Sequence, residues 1–163
     1  MKDKQFILMT SIFRSGSALA SRMLNAHSHI NMTTDKLKFF QFYYQQQIEL
    51  NPNSVKKILN DASFRLLHKL NIKIDPQKCW KLLENQTLSY ANLYATLLGE
   101  IAVKDKPILG EMEALSWRWI PEFLEMFPKS KAIILVRDLR DVVVSFKKNT
   151  IASGNDYLIA LFN

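Results

Sequence analysis

Short apolar runs alternate along the chain with segments of helical periodicity, and this alternation restricts the fold more than any other feature. The clearest runs are residues 6–10, FILMT, and 132–136, AIILV. Runs of this length and composition are typical of strands buried in a parallel sheet. Because a helical pattern follows each run, the sequence predicts an α/β fold built around a parallel sheet.

The remaining elements are predicted from the same patterns. Two more strands are expected at residues 29–32 and from 108–109 onwards, and Asp138 fits the N-cap of a helix that follows the run 132–136. Helices are predicted at residues 18–24, 35–47, 55–70, 76–83, 88–102 and 117–127. Residues 157–163 begin an apolar helical pattern without a stop signal, so we expect residues 1–163 to form one domain, the N-terminal portion of a longer one.

The net charge is +7, from 22 Lys and Arg against 15 Asp and Glu. A basic balance favours anionic partners, but the charge is spread along the chain without a basic run, so a phosphorylated small molecule is expected rather than nucleic acid. The single cysteine, Cys79, excludes an internal disulfide and a CxxC metal site. The first apolar run ends at Arg14, which is too early for a signal sequence or membrane span, and we expect a cytoplasmic protein.

The first candidate site is residues 13–17, FRSGS, between a predicted strand and a predicted helix. Backbone N–H groups at a helix start lack partners and attract anions, and Gly16 permits close approach. Ser15 and Ser17 add hydroxyl donors and Arg14 adds a charge, so the segment predicts a phosphate or sulfate cradle; the alternative is a simple helix cap. The kinase loop G-x-x-x-x-G-K-[ST] is absent, which counts against an ordinary ATPase or kinase.

The second candidate site combines Arg137 and Ser145. Arg137 follows the strand predicted at 132–136, and ligands of parallel sheets bind at the carboxyl ends of strands. Ser145 lies eight positions later, about two helical turns away. Both side chains could reach one phosphate. In the alternative interpretation, Arg137 belongs to a surface charge network with Asp138 or Asp141.

Taken together, the two segments resemble the family of PAPS-dependent sulfotransferases (PAPS is 3′-phosphoadenosine 5′-phosphosulfate). Residues 12–19, IFRSGSAL, look like its 5′-phosphosulfate loop, R-S-G-[ST]-T-L, and residues 21–27, SRMLNAH, are similar to the helix that follows. Residues 127–145, FPKSKAIILVRDLRDVVVS, look like its 3′-phosphate segment, F-P-x-x-K-x-I-x-x-x-R-D-P-R-D-x-x-x-S. The motifs occur in the family's order, more than a hundred residues apart.

The resemblance implies a P-loop-type three-layer α/β/α fold and an enzyme that transfers a sulfuryl group from PAPS to a hydroxyl or amine, without a metal. The acceptor would be a small molecule or a carbohydrate, not nucleic acid. Arg137 and Ser145 would hold the 3′-phosphate, and Arg14 would also stabilise the leaving group. The residues implied at the 5′ end are Arg14, Ser15, Gly16, Ser17 and Ala18.

An acceptor hydroxyl must lose its proton, which calls for a general base. Glu111 is one candidate, after a short strand and Gly110. Asp35 is another, after the second predicted strand, where some relatives carry an acidic residue, and Glu113 is a third. Each carboxylate could instead be a solvated surface charge. The aromatic stretch 39–44 could line an acceptor pocket or form a core face.

Three positions depart from the family pattern. Ala18 stands where the family often has Thr, Leu139 replaces the usual Pro, and Met112 follows Gly110-Glu111 where many relatives have Lys. Ala18 and Met112 support a second reading, a non-catalytic nucleotide-binding remnant of the same fold. A P-loop nucleotide kinase comes third, and a nucleic-acid-binding module, supported only by net charge, comes fourth.

Overall fold

A computed structural model describes residues 5–102 and 106–149, and its centre is a four-stranded sheet. The strands run in the order β2-β3-β1-β4, and every neighbouring pair is parallel. Their bounds are β1 Phe6–Ser11, β2 Ile30–Thr34, β3 Ile108–Met112 and β4 Lys131–Leu135. The predicted α/β class and parallel sheet are therefore confirmed.

Helices connect the strands and follow most of the predicted patterns. Asn51 and Ser54 exchange side-chain and backbone hydrogen bonds across the first turn of α3, and Pro52 occupies its first position, so α3 begins three residues earlier than predicted. The described helices are α1 Ser17–Asn25, α2 Phe39–Phe42, α3 Pro52–Leu70, α4 Pro76–Leu83, α5 Tyr90–Ile101, α6 Ile120–Met126 and α7 Leu139–Asn149. Residues 157–163, where a further helix was expected, lie outside the described residues.

The sheet is covered by helices on both faces. Successive side chains of a strand point to opposite faces, so Phe6 and Leu8 pack among the apolar side chains of α3 to α6. Ile7 and Met9 point the other way, into a smaller cluster that α1 covers. Among the described helices, none is both long enough and apolar enough to cross a bilayer.

The helix predicted over residues 35–47 is wrong in extent. Only Phe39–Phe42 is α-helical, followed by a 3-10 turn at Tyr44–Gln46. Asp35 and Lys38 have φ angles of 49° and 48°, which no right-handed helix contains. The aromatic periodicity belongs to a core face, since Phe39 and Phe40 are fully buried.

Gly110 lies where two neighbouring strands approach closely. A Cβ atom on this residue would stand 2.1 Å from Met32 Sδ and 3.0 Å from the carbonyl oxygen of Ile7. Strand β3 lies between β2 and β1, so its backbone has little room to move aside. A side chain at this position would therefore displace Met32 and crowd Ile7.

We expect Gly110→Ala to lower the free energy of unfolding by about 1–3 kcal/mol, because the methyl group overpacks the sheet. Gly99→Ala is the matched control. Gly99 is exposed in α5 with nothing within 4 Å of a Cβ position, so alanine should raise stability by about 0.5–1 kcal/mol. Urea unfolding of both variants measures the difference, and equal effects would contradict the close approach at Gly110.

Candidate functional site

The carboxyl ends of the four strands bring separate parts of the sequence to one edge of the sheet. The loop after β1 contains residues 12–16, Asp35 follows β2, Glu113 follows β3 by one residue, and Arg137 lies two residues beyond β4. Backbone hydrogen bonds join these loops, including one of 2.7 Å from the amide of Asp35 to the carbonyl oxygen of Met112. This is the edge at which parallel sheets bind ligands.

In the described part of the chain, the loop after β1 leaves backbone amides without backbone partners at the start of α1. Arg14 and Gly16 have left-handed φ angles of 64° and 86°, and Gly16 is the N-cap of α1 without a side-chain cap. Leu19 and Ala20 both donate to the carbonyl oxygen of Gly16. Within the described residues, the backbone amides of residues 17 and 18 have no backbone acceptor. Free amides at the start of a helix form a binding site for an anion.

Two buried hydroxyl groups at the same loop add unused hydrogen-bonding capacity. Ser15 is only 7% exposed and Ser11, at the end of β1, is 1% exposed. In the part of the chain that the structure describes, neither Oγ atom has a hydrogen-bond partner. Buried polar atoms are normally satisfied. Because both atoms are shielded from solvent, the oxygen atoms of a phosphate or sulfate would reach them only after a shift of the loop. Ser11 was not predicted as a site residue, although its position at a strand end was a usable signal.

The structure brings Arg14, Arg137 and Ser145 into direct contact. Arg137 Nη1 donates to the carbonyl oxygen of Arg14 at 3.1 Å, and Arg14 Nε donates to Ser145 Oγ at 3.1 Å. Strands β1 and β4 are neighbours, with Ser11 paired to Leu135, so the loops that follow them lie side by side. Residues from both predicted anion motifs therefore meet, although the sequence suggested two separate binding groups.

The charges of these two arginines are only partly balanced. Arg137 Nε lies 3.7 Å from Asp141 Oδ2, and both side chains are well exposed, so this ion pair is weak. Arg14 has no carboxylate partner among the described residues. Two arginines of neighbouring loops with little charge compensation favour an anionic ligand.

Arg140 takes no part in this contact. Its side chain forms a separate ion pair with Asp138, with 2.6 Å between Nη2 and Oδ2. The backbone amide of Arg140 also donates to Asp138 Oδ1 at 2.9 Å, which confirms the predicted capping role of Asp138 at the start of α7.

Asp35 is the accessible carboxylate of the three candidate bases. It lies at the end of β2 with its side chain 34% exposed. Its Oδ1 atom accepts a hydrogen bond of 3.2 Å from the amide of Ala114 and lies 3.7 Å from Lys38 Nζ. Lys38 was not predicted as a site residue, because nothing in the local sequence distinguishes it from a surface lysine.

Glu111 and Glu113 are fully buried, which excludes the surface-charge interpretation for both and removes their carboxylates from contact with an acceptor. Glu111 Oε1 accepts from the amide of Lys38 at 2.6 Å. Glu113 Oε1 and Oε2 accept from the amides of Gln41 and Phe40 at 2.7 and 3.1 Å. Burial raises the pKa of Glu111 well above its ordinary value, with repulsion from Glu113 adding to the effect. Burial also raises the pKa of Glu113 to about 7, against the opposing effect of the two amides.

These raised pKa values predict that stability depends on pH. An unfolded Glu113 loses its proton near pH 4.5, whereas the folded protein retains it up to about pH 7. The folded state therefore binds more protons between these values, so the free energy of unfolding should fall as pH rises through this window, by on the order of 1–3 kcal/mol. Urea unfolding from about pH 5 to about pH 8 measures the fall, and Glu113→Gln should reduce it to the part that Glu111 contributes. A rise in stability across the window would contradict the assignment.

The comparison with protein families identifies the chain. A model described as the sulfotransferase family matches residues 6–159. This span contains both anion motifs and every candidate site residue. A search of curated protein sequences finds no match. Since the family model covers nearly the whole chain, the protein belongs to the sulfotransferase family.

Proposed function

We propose that the protein is an enzyme that transfers a sulfuryl group from PAPS to a hydroxyl or amine group of a small-molecule or carbohydrate acceptor. The observation that carries the proposal is the contact of Arg14, Arg137 and Ser145 beside the free amides at the start of α1. Family membership supplies the reaction class, and this cationic site supplies the reason for a donor with several anionic groups.

Each end of PAPS would be bound by a different set of hydrogen-bond donors. The free amides of residues 17 and 18 and the unpartnered hydroxyl of Ser15 fit the 5′-phosphosulfate group. Arg137 and Ser145 would take the 3′-phosphate, because a guanidinium fork and a hydroxyl both match phosphate oxygens. Arg14 now donates to Ser145, and an anion would compete for both groups.

The reaction also requires that charge be stabilised and a proton removed. PAPS supplies the sulfuryl group and a phosphate leaving group. Arg14 would stabilise the negative charge that develops on the leaving group, and the loop amides would hold the reacting atoms in line. Asp35 is the favoured base, because its carboxylate is partly exposed at this edge of the sheet.

Two observations favour the second candidate, a remnant that binds the nucleotide without turnover. Met112 stands where many relatives have Lys, and it is buried in the apolar cluster with Ile7, Met9 and Met32, so it contributes no charge. Ala18 is exposed on α1 and supplies no hydroxyl to the loop. Both candidates would bind PAPS, whereas only the enzyme would transfer its sulfuryl group to an acceptor.

Nucleotide selectivity tests donor binding. At about 100 times its Kd, 3′,5′-adenosine bisphosphate should raise the melting temperature by about 5 °C or more, while ATP with Mg²⁺ has little effect because it lacks the 3′-phosphate. Arg137→Ala should abolish the difference. Arg140→Ala is the matched control, since Arg140 pairs with Asp138. Equal shifts with both nucleotides would exclude PAPS as the donor.

Transfer of label tests the reaction. Incubation with radiolabelled PAPS and a mixture of hydroxyl and amine acceptors should give a labelled product, and Asp35→Asn should lower kcat by about 10²- to 10⁴-fold while bisphosphate binding persists. Glu84→Gln changes an exposed carboxylate at the end of α4 and should have no effect. Tight bisphosphate binding without any transfer would identify the remnant.

A further inference from the structure

The segment 35–38, between β2 and α2, has a backbone that its own residues do not favour. Asp35 and Lys38 both have left-handed φ angles, which are unfavourable for Lys and which Asp tolerates better than most residues. The same two residues form an ion pair, with 3.7 Å between Lys38 Nζ and Asp35 Oδ1. Such strain persists only where surrounding contacts enforce it, and it concentrates at functional sites.

Two buried carboxylates enforce this backbone from one side. Glu111 accepts from the amide of Lys38, and Glu113 accepts from the amides of Phe40 and Gln41. Lys38 is the N-cap of α2 but makes no side-chain cap of its own. The two buried carboxyl groups therefore satisfy the free amides at the start of this short helix.

Arg65 of α3 holds the segment from the other side. Its Nη1 atom donates to the carbonyl oxygen of Lys36 at 3.1 Å, and its Nη2 atom donates to that of Leu37. Its Nε atom donates to the hydroxyl of Tyr43 at 3.2 Å. The amide of Lys38 is thus bound to a buried carboxyl group and the carbonyl groups of Lys36 and Leu37 to a guanidinium group, both from distant parts of the sequence.

The arrangement is expensive for a purely structural cap. Two buried carboxyl groups are unfavourable unless their oxygen atoms are fully hydrogen-bonded, and burial raises the pKa of both. Glu111 Oε2 has no hydrogen-bond partner within the described residues, and neither has the buried hydroxyl of Tyr94. A Ser or Asn at the N-cap would satisfy a helix start at much lower cost.

We propose that Glu111 and Glu113 are positioning residues that hold Asp35 and Lys38 as a charged pair on the acceptor side of the site. The proposal rests on the proposed function, in which Asp35 is the base. The pair provides a proton acceptor and a cation at the end of β2. Lys38 thereby supplies a positive charge near the sheet edge, where the buried Met112 supplies none.

The two glutamates use their oxygen atoms differently, so the same Glu→Gln substitution should have different effects at the two positions. Glu113 binds a separate amide with each oxygen, so Glu113→Gln must lose one of these bonds, because an amide NH₂ group cannot accept. Glu111 uses Oε1 for the amide of Lys38 and leaves Oε2 unpartnered. Glu111→Gln can therefore keep its bond, whereas Glu111→Ala cannot.

Amide hydrogen exchange tests the positioning without any ligand. In Glu113→Gln, protection of the amides of Phe40 or Gln41 should fall by at least about tenfold, while the β1 and β3 amides stay protected. Glu111→Ala should expose the amide of Lys38 in the same way, and Glu111→Gln should not. Glu122→Gln is the control, because Glu122 on α6 also has a buried, unpartnered oxygen. The proposal would be overturned if protection stayed unchanged in Glu113→Gln and Glu111→Ala, or if both variants lost protection uniformly throughout the sheet.

Transfer kinetics, measured with radiolabelled PAPS and an acceptor that takes up the label, connect the positioning to function. Glu113→Gln should lower kcat by about tenfold or more, with KM for PAPS and Kd for 3′,5′-adenosine bisphosphate within about twofold of wild type. Glu122→Gln, the control, should retain kcat. A loss of bisphosphate affinity in Glu113→Gln would overturn the acceptor-side assignment. If the wild-type protein does not bind the bisphosphate, the proposed function fails, whereas the exchange contrast still decides whether the glutamates hold the pair.

Discussion

The parallel pairing of β1 with both β3 and β4 is the constraint on which the site depends. It aligns Leu8 with Glu111 on one side and Ser11 with Leu135 on the other. All loops that carry candidate residues consequently leave the sheet at one edge. A parallel sheet needs helices on both faces, and the two apolar clusters on opposite sides of β1 meet this need. The parallel sheet whose burial stabilises the fold thus also brings the candidate site residues together.

Strand order also separates charge across this edge. The cationic residues Arg14 and Arg137 follow β1 and β4, whereas the acidic residues Asp35, Glu111 and Glu113 belong to β2, β3 and the turns after them. The order β2-β3-β1-β4 therefore puts an anion-binding half beside an acidic half. For sulfuryl transfer this division is useful, because the donor carries negative charge and the acceptor must lose a proton.

The sequence predicted the features that local residues determine. Strand β1, the loop at residues 13–17 and α4 lie where apolar runs, turn residues and caps indicated. The helix predicted over residues 35–47 was wrong in extent, because Asp35 and Lys38 have left-handed φ angles and the amide of Lys38 donates to Glu111, more than seventy residues away. The run at 132–136 predicted a strand but not its place at the edge of the described sheet, where Ile134 is 57% exposed. Periodicity shows that a segment is a strand or a helix, but not which distant residues or strands lie beside it.

Strained backbone conformations also concentrate at the carboxyl edge of the sheet. Four of the described non-glycine residues with positive φ lie in turns at the carboxyl edge of the sheet. Each is bound to a residue that follows or belongs to another strand: Arg14 to Arg137, Asp35 to Met112, Lys38 to Glu111 and Leu115 to Ser11. Because these partners are distant in sequence, the contacts that hold the strained turns exist only in the assembled sheet. The site geometry is thus a consequence of strand pairing rather than of local preference, and a substitution that loosens the pairing should relax all four turns together.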